Sequence, residues 1–213
     1  MDKKIIQVNL NALSLGVRGT AEGEEDVNLF RFTLSYPTEG IPNVETVKTV
    51  SVNKPIPTNW DDFEKSIIFK TALRGRAKLT IEAASIDKES DGEKFIKGLF
   101  KSLFGAVLGV WTGGFGSAYV GAITKAVGTS LTDLIESDDD IDILGKASVM
   151  IDSDNLQSEI DLSLKVDKPV VKKVRQLVGA GPRPRRRARI VEEVLLAKGA
   201  HNGNVKIGIA EIG

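Results

Sequence analysis

Ile6-Gln7-Val8-Asn9-Leu10-Asn11-Ala12 alternates apolar and polar residues one for one. A period of two is that of a strand with one face on a core and the other toward water. The same signature recurs on both sides of the chain's centre. Residues 29–36 carry Phe30, Phe32 and Leu34 on one side, and residues 44–52 alternate until Pro55 and Pro57 break the pattern. Strands are also expected over 63–69, 78–86, 146–151, 160–166, 170–178, 190–197 and 205–212. Arg74-Gly75-Arg76 reads as a connection, and 138–142 as an acidic loop. Asn202-Gly203 reads as the turn of a hairpin, because that dipeptide readily adopts positive φ. Seven to ten short strands joined by turns predict a mostly-β, antiparallel β-sandwich over residues 1–213.

One stretch departs from this period. Over 93–111, Phe95, Leu99, Phe100, Leu103, Phe104, Val107 and Trp111 recur at helical spacing. Lys94, Lys97 and Lys101 share another face, and Gly98, Ser102, Gly105 and Gly109 make a narrow stripe of small residues. Small residues four apart permit close backbone approach. Ser90 and Glu93 fit a capping box, and Gly113-Gly114 suits a helix end. A second helix is expected over 116–136, making 90–137 an inserted helical hairpin. Its occupant could be lipid, a copy of the chain, or the chain's own sheet.

Composition narrows the function. The chain has 213 residues, 29 basic and 29 acidic, and no cysteine. It therefore has neither a global field favouring nucleic acid nor thiol chemistry. His201 is the only histidine, so any triad or imidazole metal site would have to use it. The Gly113-Gly114-Phe115-Gly116 run is not followed by the Lys-Ser/Thr of a phosphate loop. Met-Asp-Lys-Lys leads into an alternating strand rather than an apolar run, so an intracellular, membrane-peripheral chain is expected.

The densest charge lies in an irregular stretch over 179–189. Arg183, Arg185, Arg186, Arg187 and Arg189 follow prolines and glycines there. Such a loop can grip phosphates. No aromatic residues accompany the arginines, which argues against nucleic acid.

Lys54-Pro55-Ile56-Pro57-Thr58-Asn59-Trp60-Asp61-Asp62-Phe63 resembles the Asn-Pro-x-Trp-Asn-x-x-Phe stretch of C2 domains. Asp142-Ile143-Leu144-Gly145 resembles the motif closing their third loop, and Asp26 stands where their Asp-Pro-Tyr-Val motif would be. The resemblance implies a C2-like sandwich with the hairpin in its third loop, meeting a membrane. It also implies calcium on Asp26, Asp87 and Asp142. Ser85 stands where the family places a further aspartate, and calcium needs several carboxylates. No calcium-dependent binding is therefore expected.

The expected function is a non-catalytic interaction module. It would contact an anionic lipid surface or a protein partner through Lys94, Lys97, Phe100, Lys101, Phe104, Gly105, Gly109, Trp111, Arg183, Arg185, Arg186 and Arg187. The alternative is a structural subunit that self-assembles into a homo-oligomer through the same hairpin.

Overall fold

The computed structural model describes residues 3–19, 27–37, 43–51, 58–59, 67–86, 123–124, 141–178 and 187–212. Twelve strands make up the regular structure of these residues: β1 (Lys4–Leu15), β2 (Val27–Ser35), β3 (Val44–Ser51), β4 (Thr58–Asn59), β5 (Ile67–Leu73), β6 (Arg76–Ile86), β7 (Ile123–Thr124), β8 (Ile141–Asp152), β9 (Glu159–Lys165), β10 (Val170–Val178), β11 (Arg187–Leu196) and β12 (His201–Glu211).

Ten of them form one antiparallel sheet, in the order β4-β1-β12-β9-β8-β6-β2-β3-β7, with β5 also on β1. The sheet curls until its ends approach. β3 and β5, from opposite ends, come within 8 Å between Cα atoms. The Tyr36 hydroxyl, just past β2, donates 2.8 Å to the Ala72 carbonyl in β5. A nearly closed barrel results, and closure removes the open edges a flat sheet would carry.

Among the described residues a single apolar core fills the inside. Ile6, Val8 and Leu10 of β1 meet Phe30, Phe32 and Leu34 of β2, Leu79 and Ile81 of β6, Leu164 of β9, and Val205 and Ile207 of β12. Each is almost wholly excluded from water. The antiparallel, strand-rich part of the sandwich expectation holds. Ten of the strands, however, join in one continuous hydrogen-bonded sheet.

Local departures from the expected pattern have identifiable causes. Ala12 does not continue the apolar face of β1. A bulge between Leu10 and Ala12 inserts one residue and moves the inward phase to Leu13 and Leu15. The strand expected over 63–69 begins at Ile67 and runs to Leu73. β8 begins at Ile141, so Asp142 and Gly145 lie within a strand rather than before it. Of the expected helical hairpin, only Ile123 and Thr124 fall among the described residues. These two form β7, paired with Glu45 and Val44 of β3. The remainder of that expectation, including Lys94, Lys97, Phe100, Lys101, Phe104, Gly105, Gly109 and Trp111, lies outside the described residues.

The expected Asn202-Gly203 turn also resolves differently. The reversal between β11 and β12 centres on Gly199, at φ 83°, with Ala200 N–H donating 3.0 Å to the Ala197 carbonyl. Asn202 and Gly203 fall inside β12, where its pairing with β9 shifts register between His201 and Asn204. The displaced Asn202 side chain is buried and ties three segments together. Its Nδ2 donates 2.9 Å to the carbonyls of both Val17 and Leu144, and its Oδ1 accepts from Val17 N–H at 2.6 Å. Asn202→Leu keeps the branching of the side chain and leaves those buried backbone groups unsatisfied, so it should cost about 1–3 kcal/mol. Urea denaturation monitored by fluorescence measures this. A midpoint equal to the wild type would show that the latch is not holding β1, β8 and β12 together.

Candidate interaction surface

β10 and β11 stand apart from the barrel sheet. They pair with each other and, among the described residues, with no other strand. Val178 opposes Arg187 at one end and Val170 opposes Leu196 at the other. At about 3.4 Å per residue the ribbon is roughly 30 Å long. Its base is anchored, since Val166 and Val170 are buried. Toward the far end Arg175, Gln176, Arg189 and Ile190 are exposed.

The two faces of this arm differ. Val174 and Val191 oppose each other on one face and are half-buried. Ile190, Glu192 and Val194 lie on the other face with Lys173 and Arg175, all of them exposed. Ile190 is 67% exposed and Val194 59%, the highest values among the large apolar residues described. Val and Ile suit the pleat of a ribbon, but burial usually accompanies them.

Arg187 and Arg189 belong to β11, not to a loop. This corrects the extent of the arginine-rich loop, which was expected to run to 189. Its remaining arginines, Arg183, Arg185 and Arg186, lie outside the described residues, in the connection between the paired residues Val178 and Arg187. Across 170–196 the sequence holds eight basic and two acidic side chains, a formal charge of +6. The whole chain is neutral, so the remainder carries −6. No sequence pattern marked this division, because it depends on which strands leave the barrel.

A second polar feature lies on the outer face of the barrel. Arg31 of β2 opposes Glu82 of β6, and Glu82 opposes Lys146 of β8. Arg31 Nη2 lies 2.7 Å from Glu45 Oε1 of β3, Arg31 Nη1 lies 3.7 Å from Glu82 Oε2, and Lys146 Nζ lies 2.9 Å from Glu82 Oε1. Arg31, Glu45 and Glu82 are nearly inaccessible to water. Leu29 and Ala84, on the same outward phase, are buried too. The sheet is thus enclosed on both faces here. Burial pushes the Glu45 carboxyl above its ordinary value. The adjacent Arg31 offsets part of that, and the neighbouring Glu82 charge adds to it. Two cations and two carboxylates balance, as burial of charge requires. The sequence could not distinguish this cluster from solvated outward positions.

The other candidate residues are not brought together. Asp142 is half-buried in β8 opposite Ser85, while Asp26 and Asp87 lie outside the described residues. Among the described residues no three His, Asp or Glu side chains group as a metal site would need. His201 Nδ1 lies 2.6 Å from Ser163 Oγ, and both sit at the surface. Among the described residues no helix is long and apolar enough to cross a membrane. Compared with profiles of known protein families, with curated proteins and with solved structures, the chain finds no match.

Proposed function

We propose that the chain is a non-catalytic interaction module whose contact element is the β10–β11 arm with its arginine-rich connection, and that this element meets an anionic bilayer surface. The observation that carries the reading is the charge division: +6 over 170–196 in a neutral chain, on a ribbon that pairs only with itself among the described residues. A polybasic segment close to an anionic bilayer gains about 1 kcal/mol per charge. Exposed Ile190 and Val194 offer apolar contact beside it. The resemblance to C2 domains belongs to the same proposal, since those domains commonly present loops to membranes. So does the segment 90–137, whose Lys94, Lys97, Phe100, Lys101, Phe104 and Trp111 suit an interface of lipid head groups and chains. The second reading, self-assembly, draws on the strand edges of the arm, which pair with no further strand among the described residues.

Arg185, Arg186 and Arg187 replaced together by glutamine should weaken binding to vesicles rich in anionic lipid by roughly 100-fold at low salt. Binding should fall less steeply with added salt, and neutral vesicles should respond little. Co-sedimentation across a salt series measures both. Equal binding by the variant and the wild type would end the proposal for the arm.

A further inference from the structure

We infer that the edge of β11 turned away from β10, which pairs with no strand among the described residues, pairs with the same edge of a second copy of the chain, joining two arms into a four-stranded antiparallel sheet. The two edges of the ribbon differ in what self-pairing would do. β10 carries Lys172, Lys173 and Arg175 and no acid. Two such edges set cation against cation, the usual protection of an exposed strand. β11 reads Arg187-Ala188-Arg189-Ile190-Val191-Glu192-Glu193-Val194, basic in its first half and acidic next. An antiparallel copy reverses that order, so its basic half meets the acidic half of the first strand.

The register follows from the side chains. A two-fold axis through Val191 places Arg189 opposite the second copy's Glu193, and Glu193 opposite its Arg189. Opposite charges directly across a pair stabilise it, and like charges do the reverse. The same register sets Ile190 diagonal to the second copy's Ile190 and Val194. Diagonal neighbours on one face remain within reach of long side chains. The two most exposed large apolar residues of the described structure thus gather in one cluster across the axis. An axis through Glu192 would oppose that carboxylate to its own copy. An axis through Ile190 would set Arg189 opposite the second copy's Val191 rather than an acid. Arg189, Glu192 and Glu193 are exposed in the single chain, so no existing burial has to be undone. The dimer does not depend on the arm meeting lipid.

Sedimentation velocity of the purified chain without lipid, from about 1 to 100 μM, tests this. The wild type should dimerise with rising concentration. Glu193→Arg puts two like-charge contacts in place of two favourable ones and should raise the dimer dissociation constant by about tenfold or more. Arg189→Glu combined with Glu193→Arg restores both pairs and should return it to near the wild-type value. Circular dichroism confirms that each variant is folded.

Because the chain has no cysteine, Val191→Cys gives a unique thiol. Antiparallel partners lie about 4.5–5.5 Å apart between Cα atoms, within disulfide range. Oxidation should therefore cross-link Val191→Cys and leave Arg175→Cys, on the outer strand, monomeric. A wild type that stays monomeric throughout, a dimer indifferent to Glu193→Arg, or a double variant without rescue would each overturn the inference. The double variant keeps the net charge of the arm. Its binding to anionic vesicles reports on the lipid reading separately.

Discussion

Gly203→Ala should lower the unfolding free energy by about 2–6 kcal/mol, from two causes that add. The first is conformational. Gly203 holds φ at 115°, a region that side-chain-bearing residues occupy at a cost of about 1–3 kcal/mol. The second is steric. A Cβ at this position would sit 1.9 Å from the Ser14 carbonyl oxygen and 2.9 Å from the Leu15 Cα. Those are backbone atoms, so no rotamer change relieves the overlap, and β1 itself has to move. Forcing extra volume into packed structure costs about 1–3 kcal/mol. The displacement falls where Gly203 opposes Leu15 and Asn204 opposes Ser14, beside the Asn202 latch. Gly199→Ala is the control. Its φ is 83°, but a Cβ there meets nothing within 4 Å, so only the conformational part applies, about 1–2 kcal/mol. Urea denaturation of both variants makes the comparison. Equal losses would show that β1 yields easily and that contact with Ser14 does not constrain the barrel.

Arg31→Met should be comparably damaging, by a different route. Removing one partner of a buried ion pair leaves its counter-charges without compensation and typically costs 3–5 kcal/mol. Here two carboxylates, Glu45 and Glu82, would face each other across the vacated site, with Lys146 reaching only Glu82. The loss should depend on pH. In the wild type the Glu45 carboxyl already stands above its ordinary value of 4.5 because burial disfavours the charged form. A carboxyl raised on folding binds a proton more readily in the native state. Its penalty is therefore absent at pH values below the unfolded pKa and grows as pH rises from there through the folded pKa. Arg31 opposes that shift, so its removal should widen the window upward. The variant should gain stability between pH 7 and pH 5, measured by thermal melting at both. A variant losing stability on acidification would refute the assignment. Replacing Arg31, Glu45 and Glu82 together by Met or Leu of similar volume should recover much of the loss, because no unpaired charge remains. Lys146, about one-third exposed, can turn to water.

These two sites also mark where the sequence was legible. Alternation in β1 and β2 placed Ile6, Val8, Leu10, Phe30, Phe32 and Leu34 on the core face, and the structure puts them there. Periodicity reports which residues share a face. It does not report an inserted residue, so the bulge in β1 transferred the inward phase from Ala12 to Leu13 without warning. Asn202-Gly203 has the composition of a tight turn because turns and bulges make the same demand, a residue at positive φ. Long-range pairing chose between the two. Arg31 alternates with Phe30 and Phe32 as any solvated position would, and only the enclosure of the outer face makes it a buried charge. The arm was readable as strands and arginines but not as an arm. That distinction depends on β10 and β11 pairing with each other while β9 and β12 stay in the barrel.

The pairing of β1 with β12 has a consequence for synthesis. Ile6 opposes Glu211, and Leu15 opposes Gly203. At roughly 5–20 residues per second, translation separates the emergence of these partners by about 10–40 s. Throughout that interval one edge of β1 lacks its native neighbour, and the row of Ile6, Val8 and Leu10 lacks the core side chains of β12, Val205, Ile207 and Ile209. Pairing so distant in sequence also folds slowly, since the connecting chain must be ordered before the contacts form. A nascent chain stalled before β12 therefore presents an apolar strand to its surroundings. The barrel can close only after residues 201–211 clear the ribosome.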